Sequence, residues 1–373
     1  MISSQTLTEE QRLLVDSAEN FLSQNCNSRS DAGEDVLLWQ QMLDLGWAAV
    51  HIPEEYGGLG LGLFELGLLQ QLMGKYLFRS PFFTSVVLVQ TLLLEAAREE
   101  VKESLLPALV EGAQSGTLIF NKGLCPQDGK PYVKAVRNKD GWTLSGLAEQ
   151  VLDSEVDLFA LVVAELEEGD SGLFYVPVNT PGVSKSVLKV WDLTRPQSTW
   201  NFEDVQLSSD ARIDKPGVFY SLSEALGRCS AFYAVMLAAE QLGGASRCLE
   251  LTLQYTLERH QFNRSIASFQ AVKHRCAEML VEIEKSKSAL EGVLSELTSS
   301  STSELTQCAA ITRIQSSECY RFCASEAIQL HGGVGFTWEY DPQLHFKRAQ
   351  WGSQWFGTDD TWRALLVNQL IGE

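Results

Sequence analysis

What this 373-residue chain lacks narrows its chemistry first. Its five histidines are scattered, and its eight cysteines (26, 125, 229, 248, 276, 308, 319 and 323) form no CxxC pair, so no metal-ligating constellation is read. Basic residues are few: 29 Lys and Arg stand against 48 Asp and Glu, a net charge of −19. That balance argues against nucleic acid, which calls for a basic stripe, and it obliges any phosphate-bearing ligand to find locally placed cations. No apolar run approaches the roughly 18 residues of a membrane span. The opening MISSQTLTEEQ has neither a basic nor an apolar stretch, so no signal peptide is expected. With reduced thiols, these absences point to the cytoplasm.

What is present is a globular composition, 45% hydrophobic and 21% charged, on a chain long enough for roughly two or three domains. Residues 1–115 read as helical. Thr8 and Gln11 make a capping-box pattern ahead of Leu13, Leu14, Ala18, Phe21 and Leu22 at helical spacing, and further helices are expected over Val36–Leu45 and Leu63–Leu77. Over 116–217 the period changes to short β-branched and aromatic runs: Thr117–Phe120, Tyr132–Arg137, Trp142–Ser145, Leu158–Ala164, Leu173–Val176 and Thr199–Phe202. Asp140-Gly141 signals a hairpin, and Gly169, Asp170 and Gly172 punctuate another pair. An antiparallel β-barrel or sandwich is expected there. Residues 218–373 are helical again. Val272, Cys276, Met279, Ile283, Leu290, Leu294 and Leu297 form one seam, Thr298–Ser303 breaks it, and a helix follows from about Glu304 to Leu330. The expected class is α+β: a helical domain, a β domain, then a four-helix bundle.

The stretch HIPEEYGGLGLG holds Gly57, Gly58, Gly60 and Gly62, yet no Lys-Ser/Thr follows and no strand clearly precedes it. It reads as a helix-connecting loop, not a phosphate cradle. That segment belongs to a larger pattern. GWAAVHIPEEYGGLGLG (46–62), VWDLTRPQSTWNFEDVQL (190–207), residues 238–280 and QLHGGVGFTWEYDPQLHFKRAQWGSQWFGT (329–358) occur in an order that resembles the acyl-CoA dehydrogenases. These are flavoenzymes that form a 2,3-double bond in an acyl-CoA thioester.

The resemblance implies an FAD site shared between subunits. The half built on the neighbouring chain uses an Arg-x-x-Phe-Gly…Gln motif and a Gln-x-x-Gly-Gly-x-Gly motif, matched here by Arg259, Phe262 and Gln270, and by Gln329, Gly332, Gly333 and Gly335. An arginine offers a charge-assisted fork to pyrophosphate, and glycines let backbone N–H groups approach. Asn263 replaces a glycine and tolerates left-handed backbone. The half built on the same chain departs from the family. FNKGLCPQDGKPY lacks the acidic-proline pair and Gly-Ser-Asp, while Gln150-Val151-Leu152 stands where Trp-Ile-Thr would hold the flavin ring. Gly357 and Thr358 survive, but a flavin-contacting glutamine becomes Asp360.

The base is missing from both places the family puts it. Phe356 occupies one, and counting back from Arg259 puts Tyr233 or Ala234 at the other. A phenylalanine takes no proton and a tyrosine, with pKa about 10, is a poor base. Glu240 reads as structural, and Glu224 reaches the site only in a different helix register. The resemblance then implies a non-catalytic subunit of a heteromeric, α2β2 acyl-CoA dehydrogenase of the kind that acts on steroid side chains and other bulky CoA esters. Its partner would be a paralogous subunit, its acceptor of the electron-transfer flavoprotein type. Three rivals stay open: a self-sufficient homo-oligomer with an unorthodox base, a flavin-free acyl-CoA-binding protein, and a purely structural subunit.

Overall fold

The computed structural model describes residues 7–29, 32–120, 131–152, 158–167, 169–215, 222–297 and 300–371. Helix α1 (Glu9–Asn25) begins at a capping box in which the Gln11 N–H donates to Thr8 Oγ1 (3.2 Å) and the Thr8 N–H to Gln11 Oε1 (3.0 Å). Two of the four orphan donors of a helix start are satisfied this way. Helices α2 (Ala32–Asp44) and α3 (Leu63–Tyr76) follow as the periodicity predicts. Between them the glycine loop folds onto itself: the N–H groups of Leu59, Gly60 and Leu61 donate to the carbonyls of Ala49, Ile52 and Val50. Donors spent in this way leave none for a phosphate. A Cβ at Gly58 would lie 1.9 Å from the Ile52 carbonyl oxygen, so packing explains that glycine. A π-helical stretch, Phe82–Gln90, runs into α4 (Thr91–Ala96), and α5 (Glu99–Val110) closes the helical part.

Strands β1 (Gly116–Ile119), β2 (Val133–Arg137), β3 (Gly141–Leu152), β4 (Phe159–Leu166), β5 (Ser171–Pro177), β6 (Val183–Val187) and β7 (Gln197–Ser208) form one seven-stranded sheet. The expectation of a purely antiparallel domain is corrected here. β1 and β2 lie along the same edge of β4, both parallel to it, in the order β1-β4-β2-β3-β7-β6 with β5 on the other edge of β4. The hairpin at Asp140-Gly141 joins β2 to β3, and the Gly169–Gly172 turn joins β4 to β5, as expected. β6 was not anticipated: VSKSV lies mostly exposed and lacks the apolar alternation that marks a strand. The inner face packs Val133, Leu144, Val162, Phe174, Trp200 and Phe202 into a core of its own.

Three long helices dominate the rest: α6 (Leu222–Glu258), α7 (Gln270–Glu296) and α8 (Thr302–His331), with α9 (Pro342–Gly352) and α10 (Asp359–Ile371) after them. The seam on α7 is buried from Cys276 through Leu297, apart from half-buried Val272 at its start. The polar break begins with residues 298–299, which lie outside the described residues; Ser301 then caps α8 through a second capping box with Glu304. Where α3 crosses α6 the backbones nearly touch, since a Cβ at Gly243 would sit 1.8 Å from the Gln71 carbonyl oxygen.

A buried ionic cluster ties the three parts together. Glu240 on α6 accepts from Arg195, from Arg348 Nη1 (2.8 Å) and from Gln70 Nε2 on α3 (2.8 Å). Arg348 Nε also donates to Asp192 Oδ2 at 2.7 Å. Burial alone would raise the Glu240 carboxyl, but the two guanidinium groups outweigh it and hold it below its ordinary range. Glu240 is therefore a structural carboxylate, as the sequence reading has it. Among the described residues no helix is long and apolar enough to cross a membrane, and no cluster of three or more His, Cys, Asp or Glu could hold a metal ion.

Candidate functional site

The two positions at which the sequence resemblance leads one to expect a base meet in space. Tyr233, from the first half of α6, and Phe356, from the turn between α9 and α10, stack with ring centroids 5.9 Å apart at 19°. Phe120 stacks on the same phenylalanine (6.3 Å), and Trp355 leans against it at 3.7 Å. Phe356 is 2% exposed and Tyr233 fully buried. The Tyr233 hydroxyl donates to the Leu88 carbonyl of the π-helical stretch at 2.6 Å. Burial, with further contributions from Cys229, holds its pKa well above the ordinary 10. This proton is committed and expensive to remove, so the tyrosine offers no base.

The aromatic cluster floors a cleft of about 1200 Å³ between the sheet and α9, walled by β3, the β6–β7 connection and Trp191, Trp351 and Trp355. Gln150, Val151, Leu152, Phe356, Gly357 and Thr358 all line it. Gln150 sits at φ +57 in a β-bulge of β3, between the Ala148 and Val151 pairings. Thr358 Oγ1 faces Thr361 Oγ1 at 3.0 Å, and Asp360 Oδ1 accepts from Arg363 at 2.8 Å. Among the described residues, the carboxylates on the cleft wall are Glu149, on an exposed position of β3, and Asp192, already bonded to Arg348. Glu224 lies exposed in the first turn of α6 and is not among the lining residues. The segment 121–130, where an acidic-proline pair was sought, is outside the described residues.

The residues that the sequence resemblance assigns to a nucleotide lie elsewhere. Arg259 directly follows α6, Gln329 is in the last turn of α8, and Gly332 and Gly333 open the 3₁₀ turn that follows; all four line a second cavity of about 910 Å³. The two cavities have no lining residue in common. Arg259 is exposed and makes no ion pair with a described residue. Tyr255 and His331 stack as the floor, their rings 4.4 Å apart, and Tyr340 stands edge-on to both. A Cβ at Gly335 would strike the Ile328 carbonyl oxygen at 2.8 Å, so packing within the chain requires that glycine. At Gly332 and Gly333 a Cβ would meet nothing within 4 Å. Their open faces leave room for a group from outside the chain to approach the backbone.

Phe262 and Asn263 form the two-residue turn of a small hairpin, β8 (His260–Gln261) and β9 (Arg264–Ser265), both with left-handed φ (+53 and +59). Asn263 accordingly does what a glycine would. Phe262 is 86% exposed in a conformation that a bulky side chain rarely adopts, and Gln270 starts α7 on an exposed position; neither lines the cavity. Sequence reasoning missed Arg29, which reaches this cavity from the α1–α2 connection. No motif flags it, because its neighbours there are more than 300 residues away.

Comparison with known proteins agrees with this layout. The N-terminal domain of acyl-CoA dehydrogenases matches residues 8–113 and the C-terminal domain residues 231–371. The chain is 31% identical over 361 residues to "Acyl-CoA dehydrogenase IpdE2" of Mycolicibacterium smegmatis, covering 94% of this chain and 96% of the relative. Its fold superposes on the ChsE4-ChsE5 complex from Mycobacterium tuberculosis with TM-score 0.87 at 23% identity, over the full length of both chains. A variant of the Tcur3481-Tcur3483 steroid ACAD superposes with TM-score 0.85 at 26% identity, over 98% of each. The helical, mixed-sheet and helical parts in this order, together with a relative at this identity along nearly the whole chain, establish that the protein belongs to the acyl-CoA dehydrogenase family.

Proposed function

We propose that this chain is the non-catalytic subunit of a heteromeric acyl-CoA dehydrogenase, and that it completes the ADP half of a paralogous partner's FAD site. The observation that carries the reading is the Tyr233–Phe356 stack: both base positions are buried aromatic rings, 5.9 Å apart. The second cavity supports it, since Arg259 and the open faces of Gly332 and Gly333 are turned outward and lie apart from the cleft that holds Gln150 and Thr358. A side chain that serves a neighbour has this placement.

In this reading Arg259 neutralises pyrophosphate charge, Gln329 and the Gly332 and Gly333 N–H groups hydrogen-bond the nucleotide, and Phe262 and Gln270 meet the partner at its edge. When bound, FAD supplies the hydride acceptor for 2,3-desaturation of an acyl-CoA thioester. The proton acceptor and the ring pocket come from the partner, and Thr358 keeps a position without a ring to hold. The ChsE4-ChsE5 and Tcur3481-Tcur3483 likenesses are two-component proteins, the latter called a steroid ACAD, which favours an α2β2 assembly acting on a bulky acyl-CoA in the cytoplasm and passing electrons to a flavoprotein acceptor.

The test is the visible flavin absorbance of the chain purified alone and co-expressed with a paralogous subunit. Colourless alone and yellow with the partner, at about half an equivalent of flavin per chain, is the expected result. A full equivalent retained by the chain alone overturns it.

A further inference from the structure

Among the described residues, the lining of the nucleotide-motif cavity comes from residues 251–341, with the exception of Arg29. Its guanidinium leaves the α1–α2 connection and closes on the segment after the Gly-Gly-x-Gly turn. Nε donates to the Trp338 carbonyl at 2.7 Å, and Nη1 pairs with Asp341 Oδ1 at 2.7 Å. Ser28 Oγ adds a donation to the same carboxylate oxygen at 3.3 Å. The connection itself is shaped by Asn27, whose Oδ1 accepts from the Arg29 N–H at 3.0 Å. The segment held this way carries Glu339, Tyr340 and Asp341, all on the cavity wall, and Tyr340 packs edge-on against Tyr255 at 5.9 Å.

The balance of charge makes this contact matter. Two cations, Arg29 and Arg259, share the cavity with Glu258, Glu339 and Asp341. If Asp341 were unpaired, three carboxylates would face any phosphate that approached Arg259. With Arg29 on Asp341, one of the three is neutralised and Arg259 is left to offset the other two. A planar fork fixed at two points also stops the wall from swinging, which lysine, a point charge on a flexible stem, does less well.

We infer that Arg29 is a positioning residue of the nucleotide pocket: the Arg29–Asp341–Trp338 contacts fix its outer wall and make flavin retention by the assembled protein depend on the N-terminal helical part of this chain. The inference rests on the proposed ADP-half role and adds a determinant that no motif of the C-terminal helices contains.

The experiment compares co-expressed complexes carrying Arg29→Gln, Arg29→Lys, Arg259→Ala, or Arg29→Asp together with Asp341→Arg. The readouts are flavin dissociation on dilution, assembly by size-exclusion chromatography, and the thermal midpoint of the chain alone. Arg29→Gln is expected to weaken flavin retention about threefold to fivefold, the scale of one partly exposed ion pair, with assembly and midpoint unchanged. Arg29→Lys, which keeps the charge but not the two-point fork, and the charge-swapped pair, which keeps the ion pair but cannot donate to the Trp338 carbonyl, are each expected to recover part of the loss. Wild-type retention in Arg29→Gln, while Arg259→Ala loses flavin, overturns the inference and leaves the ADP-half role standing. Wild-type retention in both variants overturns that role as well. A loss in Arg29→Gln that tracks a lowered midpoint makes Arg29 merely structural and also overturns the inference.

Discussion

Phe356 has φ +62 and is followed by Gly357 at φ +86, so the backbone here turns in a way that a bulky side chain pays for in strain. The strain is offset by burial among Phe120, Tyr233 and Trp355. Returning a carboxylate by Phe356→Glu would place an unpartnered acid inside that stack. Burying such a group costs at least about 2 kcal/mol. The variant chain alone is expected to unfold at lower denaturant and to reduce no dye acceptor when given an acyl-CoA; dye reduction without a partner would sink the non-catalytic reading. Tyr233→Phe separates the roles further. It removes one of two donors to the Leu88 carbonyl, which keeps the Thr91 N–H, so the expected cost is about 0.5–1.5 kcal/mol. Turnover of the assembled complex is expected to be unaffected, and a large fall in kcat would make Tyr233 part of the chemistry. Both positions were legible in the sequence as places where a glutamate was missing. That the two rings would stack was not, because 123 positions separate them and only the fold closes that gap.

Elements were read well wherever their own periodicity was strong. The capping box of α1, the α7 seam and the Asp140-Gly141 hairpin are local signals, and each element formed where its residues said. The parallel alignment of β4 with β1 and β2 was not legible, since pairing direction follows from how the chain returns and leaves no local mark. Glycines divide in the same way. Gly243 on α6 is held within 1.8 Å (as a Cβ) of the Gln71 carbonyl oxygen on α3, and Gly74 answers it with 1.9 Å to the Glu240 oxygen. Gly243→Ala must push the two helices apart and is expected to cost about 3 kcal/mol or more in chemical denaturation. Gly292 on α7 is exposed, and its Cβ would meet nothing within 4 Å. Gly292→Ala is expected to stabilise by about 0.5–1 kcal/mol, through helix propensity alone. Equal effects at the two sites would refute this account of the α3–α6 crossing.

At the scale of the whole molecule, an acidic chain is tied together from within by buried ion pairs and carries buried histidines that stay neutral in the fold. With Gln70 included, the Arg195–Glu240–Arg348 cluster joins all three parts, yet its members are scattered from position 70 to position 348 and show no motif of their own. His51 sits fully buried beside the glycine loop, with neither ring nitrogen hydrogen-bonded to a described group, and burial pushes its pKa from the ordinary 6.5 to about 3. His345 is lowered to about 3 for the same reason, with Nδ1 against the Tyr320 hydroxyl at 2.9 Å. In the unfolded chain both imidazoles take a proton near pH 6.5, whereas in the folded protein they stay neutral until about pH 3. Their contribution is therefore complete above about pH 6.5 and is lost as pH falls, by up to about 1.4 kcal/mol per pH unit for each ring. Between pH 6 and 5 the pair should remove about 2 kcal/mol, before most carboxylates titrate. His51→Leu removes one of the two proton acceptors together with an unpartnered polar ring. The variant is expected to be more stable than the wild type at pH 5 by a wider margin than at pH 7.5, as read from urea midpoints at the two values. A margin that does not change with pH would mean that His51 is already protonated, or hydrated, in the folded protein.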